Sequence, residues 1–120
     1  MTRKRLALGK LGEKVSVEYL KKQGYQIVHR NFRCRMGELD IIAREKDILV
    51  FVEVRSRSTK RFGLPQESVG PAKQRKIRML AAYYLQSLRQ PPLKVRFDVM
   101  ALYFGANGKL EDINHIKNAF

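Results

Sequence analysis

The sequence predicts an α/β protein in which a mixed β-sheet is flanked by helices, in the order α-β-β-β-α-β-β. Three observations carry this expectation. Two segments repeat apolar residues at helical spacing, two neighbouring strand-like segments meet at a short polar turn, and a further strand-like run follows the second helix. At 120 residues the chain can bury one core and is too short for two ordinary domains, so a single domain over 1–120 is expected.

Leu8, Leu11, Val15, Tyr19 and Leu20 mark the first helix, expected from Leu6 to Gln23, with Gly24 placed where a helix stops. Tyr25 to Arg33 reads as a strand from its Tyr, Ile, Val and Phe. Glu38 to Arg44 alternates Leu39, Ile41 and Ala43, and Ile48 to Ser56 is apolar enough for a central strand. Arg57 to Gly70 is polar and basic with Gly63, Pro65 and Gly70, which predicts a long mobile loop beside the sheet. After Pro71, the residues Ile77, Leu80, Ala81, Tyr84, Leu85 and Leu88 form one helical face, closed by Pro91 and Pro92. Val95 to Phe104 and a short segment from Leu110 are the last strands, separated by an Ala-Asn-Gly turn.

Hydrophobic residues make up 44% of the chain, enough for a packed interior, so the charge must lie on a folded surface rather than a disordered tail. Lys and Arg number 25 against 11 Asp and Glu, a formal charge of +14 that calls for a polyanionic partner. Charge alone does not choose between DNA, ribosomal RNA and an anionic membrane. No stretch has the apolar length of a signal peptide or a membrane span, so a soluble, cytoplasmic protein with no membrane partner is expected. Cys34 is the single cysteine, and with only His29 and His115 beside it the material for a disulfide or a structural zinc site is absent.

The acidic residues discriminate among polyanions. If Lys46-Asp47 is a two-residue turn, Asp40 faces Glu53 and Glu38 faces Arg55 across the hairpin. Opposed side chains lie about 4.5–5.5 Å apart at Cβ, so two carboxylates would repel unless a cation lay between them. A longer turn would slip the register by one and leave both as solvent-facing residues. Against that, Glu53 sits inside Leu49-Val-Phe-Val-Glu-Val54, an unfavourable place for an unpaired charge. Carboxylate oxygens suit Mg²⁺ or Mn²⁺, which can acidify a water and neutralise a scissile phosphate. Arg55, two residues after Glu53, shares its face of the strand.

Gly37-Glu-Leu-Asp-Ile-Ile-Ala43 followed by Val50-Phe-Val-Glu-Val-Arg55 resembles the bacterial YraN-like family, which is grouped with archaeal-type Holliday junction resolvases in the PD-(D/E)xK nuclease superfamily. The resemblance extends to Leu11-Gly-Glu-Lys14, the Pro71 to Lys76 helix start and Arg96-Phe-Asp-Val99. It implies a restriction-endonuclease-like fold, Asp40 and Glu53 as metal ligands, and a catalytic set of Glu13, Asp40, Glu53 and Arg55. Gly9 and Gly12 would let the first helix bring Glu13 close to the sheet, and Gln74 matches a polar helix position near the site. It also raises the expectation of a homodimer, since a two-fold assembly matches a symmetric junction. The departure is Arg55, where the nuclease pattern has lysine. Arginine binds phosphate but cannot act as a general base or mimic a compact ammonium, so attenuated cleavage is expected. Lys60 or Lys73 are candidates to supply an ammonium from a neighbouring element.

Phosphate contacts are expected from Arg57, Lys60, Arg61, Lys73, Gln74, Arg75, Lys76 and Arg78. The remaining polar and aromatic residues have blander expectations: Asp98 as a buried hydrogen-bonded carboxylate, Glu38 as a partner for Arg55, Tyr83 and Tyr84 at the core or its edge, His29 and His115 at the surface. The expected function is a metal-dependent endonuclease acting on DNA, branched or junction DNA included by resemblance. The alternatives are a non-catalytic nucleic-acid-binding module on the same fold and an RNA-binding protein associated with the ribosome.

Overall fold

Both apolar helical faces form helices that close on the sheet from opposite sides. The computed structural model describes residues 3–58, 69–92 and 94–120. Its elements are α1 (Arg3–Lys22), β1 (Gln26–Cys34), β2 (Gly37–Glu45), β3 (Ile48–Arg57), α2 (Pro71–Gln86), β4 (Lys94–Phe104) and β5 (Leu110–Ile116), in the expected order. The strands lie in numerical order across one five-stranded sheet. Neighbours are antiparallel except β3 and β4, which are parallel because the connection through α2 returns the chain to its starting end, so the sheet is mixed. Lys60, Arg61 and most of the expected loop fall outside the described residues, whereas Arg57 closes β3.

The sheet has two buried faces. Ile77, Leu80, Ala81 and Tyr84 of α2 pack with Leu39, Ile42, Leu49, Phe51 and Val99. Val17 and Leu20 of α1 pack with Tyr25, Ile41, Ala43, Val50, Val52 and Met100. Along β3 the alternation is regular, and its burial from both sides explains the nearly continuous apolar run. One expectation from periodicity fails at the margin: Leu11 is 38% exposed, while Val17 takes a core place.

In β2 the alternation breaks. Residues two apart on a strand normally share a face, yet Leu39 belongs to the α2 core and Ile41 to the α1 core. The strand therefore turns over at Asp40. On β1 the rung between Arg30↔Ile41 and Phe32↔Leu39 is occupied by Asn31, whose φ is +54°.

A second polar centre lies under the C-terminal end of α1. Asp98 is fully buried and accepts from Arg96 Nε at 2.8 Å, Arg96 Nη2 at 2.8 Å, His115 Nε2 at 2.8 Å and the Asn118 backbone N–H at 3.0 Å. Arg96 also donates to the Tyr25 hydroxyl at 2.7 Å and to Glu45 at 3.1 Å. Asp98 is thus the buried hydrogen-bonded carboxylate expected. His115 is not at the surface: its side chain is 4% exposed, held by Asp98 and by edge and tilted contacts with Tyr19 and Tyr25.

Candidate functional site

The site is built where β2 and β3 part. Their ladder runs from Glu45↔Ile48 to Ile41↔Val52, the register of a two-residue turn at Lys46-Asp47. Beyond it β2 stays with β1 as far as Gly37↔Cys34, and β3 stays with β4 as far as Arg57↔Tyr103. Asp40 and Glu53 are the first residues past the fork. Backbone pairing does not extend to them, but Asp40 Oδ2 accepts from the Val54 N–H at 2.9 Å, replacing a lost ladder partner with a side chain. Its carboxyl group also hydrogen-bonds to that of Glu53. The β2–β3 ladder ends before the rung on which the extended hairpin would set Glu38 against Arg55. Since β2 has left β3, Glu38 lies opposite Arg33 of β1 and meets its Nε at 3.3 Å.

Glu38 instead joins the acidic cluster. Oxygens of Glu13, Glu38 and Asp40 all lie within 4.8 Å of one another, and Glu53 adjoins them through Asp40. Gly12 helps Glu13 arrive: a Cβ there would collide with Ser56 Oγ and crowd Leu102, so glycine eases the close approach of α1 to β3. Gly9 has open space around it and plays no such part. Burial, the Glu53 charge and the hydrogen bond to Glu53 push the Asp40 carboxyl up to about 7, against the pull of the Val54 N–H and Lys73. Burial and the charge of Asp40 also raise Glu13, while a side-chain hydrogen bond from Asn31 opposes the rise.

Cations frame the carboxylates. Lys73 Nζ, from the first turn of α2, stands 3.9 Å from Glu53 Oε2. Arg55 shares the α2-facing side of β3 with Glu53 by strand alternation. Lys76 lies against the tip of the β1–β2 hairpin, its Cε 3.1 Å from where a Cβ on Gly37 would stand. That hairpin forms an open depression of about 390 Å³ lined by Arg33, Cys34, Arg35, Met36, Gly37 and Glu38. Neither arginine was among the expected phosphate contacts; folding of the hairpin sets Arg33 against Glu38 and Arg35 in the same depression. Other expected contacts have different neighbours. Gln74 donates to the Val69 carbonyl at 2.8 Å, securing the start of α2, and Arg78 stacks over Phe97 and Phe120. Arg75 is exposed on the outer side of α2 and Arg57 half-buried at the end of β3.

The model of uncharacterised protein family UPF0102 matches residues 12–102, which include every carboxylate of the cluster. The chain belongs to UPF0102. Among UPF0102 proteins, one from Caldicellulosiruptor saccharolyticus is 48% identical over 113 residues, 94% of this chain and 96% of that relative. One from Desulforamulus reducens is 48% identical over 121 residues, 99% of each chain. A third, from Syntrophus aciditrophicus, is 47% identical over 115 residues, covering 96% and 89%. The UPF0102 match thus spans the fork, the second half of the helix that carries Glu13 and all of α2. No helix among the described residues is long and apolar enough to cross a membrane.

Proposed function

We propose that this UPF0102 protein is a metal-dependent endonuclease acting on DNA, with Glu13, Glu38, Asp40 and Glu53 as its acidic centre and Lys73 as its ammonium. The observation that carries the reading is the fork itself, which crowds like-charged carboxyl groups until Asp40 keeps a proton near neutrality. An all-oxygen donor set of this kind fits Mg²⁺ or Mn²⁺. Such an ion, when bound, supplies an acidified water and neutralises charge on the scissile phosphate.

The chain's own groups divide the remaining work. Asp40, braced by the Val54 N–H, and Glu53 hold the ion, and Glu13 and Glu38 complete its acidic side. Lys73, whose Nζ stands 3.9 Å from Glu53 Oε2, supplies the ammonium that Arg55 lacks. Arg55 contacts the phosphate beside it. Arg33, Arg35 and Lys76 rim the hairpin depression next to Glu38 and lead the polyanion backbone past the carboxylates. By resemblance the substrate includes branched or junction DNA, and a homodimer acting in the cytoplasm suits a symmetric junction.

The test is single-turnover cleavage of linear, nicked and four-way DNA in Mg²⁺, Mn²⁺ or chelator, alongside binding at fixed salt. We expect slow, cation-dependent cleavage that Lys73→Ala abolishes and Arg55→Lys accelerates, with Arg55→Lys changing DNA affinity less than about tenfold, or roughly 1.4 kcal/mol. Faster cleavage by wild type than by Arg55→Lys would make arginine a competent member of the site. DNA binding without cleavage by any of these proteins would favour the non-catalytic binding module, the reading to which Arg55 itself points.

A further inference from the structure

Asn31 occupies an improbable conformation at a telling place. Its φ of +54° falls in the left-handed region, yet it lies inside the nine-residue strand β1. That region costs an ordinary L-residue roughly 1–2 kcal/mol and is tolerated best, among non-glycine residues, by Asn and Asp. The cost is incurred on the rung of Asp40, between the pairs Arg30↔Ile41 and Phe32↔Leu39. It is the same rung at which β2 passes from the α2 face to the α1 face. A left-handed residue reverses the facing of its own strand, so β1 and β2 turn over together and stay paired down to Cys34↔Gly37.

The side chain does a second job. Its amide lies near enough to the Glu13 carboxylate to lower its proton affinity, and since an ionised carboxylate only accepts, the Asn31 nitrogen is the group that can donate. Glu13 comes from a helix on a flexible side chain and faces the like charges of Asp40 and Glu38. Unrestrained, it would swing away from them. A neutral donor on one of its oxygens holds it in the cluster and leaves its other oxygen for a ligand.

We infer that Asn31 is the positioning residue of this site, turning β1 over at the Asp40 rung and holding Glu13 toward the cation that Asp40 shares. The inference rests on the metal-centre reading above. Outer partners of metal ligands typically contribute 10–100-fold to affinity, and glycine separates the two roles of Asn31, because it adopts positive φ freely but has no amide.

The experiment is calorimetric Mn²⁺ titration of wild type, Asn31→Gly, Glu13→Gln, the double variant and Asp40→Ala, with thermal unfolding of each in chelator. Asn31→Gly is expected to melt within roughly 5 °C of wild type while binding Mn²⁺ about 10–100-fold more weakly. The double variant should bind no more weakly than Glu13→Gln alone, since the amide acts only through that carboxylate. Asn31→Ala, which loses the amide and resists positive φ, should lose both affinity and melting temperature. Wild-type affinity in Asn31→Gly overturns the inference, as does an equal loss with and without the Glu13 carboxylate. Loss of binding in Asp40→Ala identifies the metal centre independently, so these results leave that reading standing. Absence of Mn²⁺ binding by wild type removes both.

Discussion

Asp40 and Asp98 are both strand aspartates withdrawn from solvent in one sheet, and their surroundings drive them in opposite directions. Burial alone would raise Asp98, but hydrogen bonds from His115, Arg96 and the Asn118 N–H outweigh it and hold the carboxyl below the usual range. Asp40 has one backbone donor, and burial with the charge of Glu53 raises it to about 7. The first arrangement is complete: every lone-pair direction faces a donor and the charge is neutralised within the fold. The second is incomplete without a cation or a proton. A buried carboxylate surrounded by donors holds the structure together, whereas one surrounded by carboxylates is opposed by like charge and marks a candidate functional site.

The largest expected effect tests the complete centre. Asp98→Ala leaves Arg96 and His115 without their common acceptor in a nearly closed interior. Removing one member of a buried ion pair costs about 3–5 kcal/mol, a large share of a small domain's stability. Denaturant unfolding should register a loss of this size. Mn²⁺ binding by the protein that remains folded should be unchanged, since none of the carboxylates at the fork contacts Asp98. A loss under about 1 kcal/mol would show that the network is dispensable and the contrast overstated.

The second effect has the opposite sign. Asp40→Asn keeps the shape and can still accept from Val54 while donating to Glu53, but it removes a charge from a like-charged cluster. A tenfold change in proton affinity corresponds to about 1.4 kcal/mol. With partial solvent access screening part of the repulsion, the metal-free protein at pH 8 should gain on the order of 1–2 kcal/mol. The same variant should lose the stabilisation that Mn²⁺ gives wild type. Destabilisation in chelator would mean that Asp40 is held by favourable contacts as Asp98 is.

The two centres differed in how much of them could be read from the sequence. The hairpin register followed from a two-residue turn, and with it the meeting of Asp40 and Glu53, because strand alternation has a fixed period. Extending the ladder past Ile41 assigned Glu38 to Arg55 alone, and its place beside Glu13 and Asp40 was not legible. Nothing local announces that β2 leaves β3 at this point, where a left-handed residue on β1, Asn31, occupies the rung of Asp40. The acceptor role of Asp98 was legible from a charge in an apolar strand. Its partners were not, because Tyr25, Glu45 and His115 come from far along the chain. Lys73 was one of two candidate ammonium donors, and only the seating of α2 brings it to Glu53.

The smallest effect is a pH dependence in which the two aspartates pull against each other. Asp40 has a folded-state value near 7, above the ordinary 3.8, so between these values the native state keeps a proton that the unfolded chain releases. Its contribution therefore favours the folded state at low pH and is lost as pH rises from about 4 to 7. The raised Glu13 adds a term of the same sign. Asp98, lowered in the fold, behaves oppositely: its contribution is present above the ordinary aspartate range and is lost as pH falls through the folded value. Subtracting the stability of Asp40→Asn from that of wild type, both in chelator, isolates the first term. That difference should be close to zero near pH 4 and grow steadily more unfavourable to wild type up to about pH 7, then level off. Excess Mn²⁺ should reverse its sign at pH 8, where the cation takes the place of the missing proton, and leave it nearly unchanged at pH 4, where the proton is already there. A difference that stays flat across this range would mean that Asp40 is ionised throughout, and the carboxylates at the fork would then be as well compensated as Asp98.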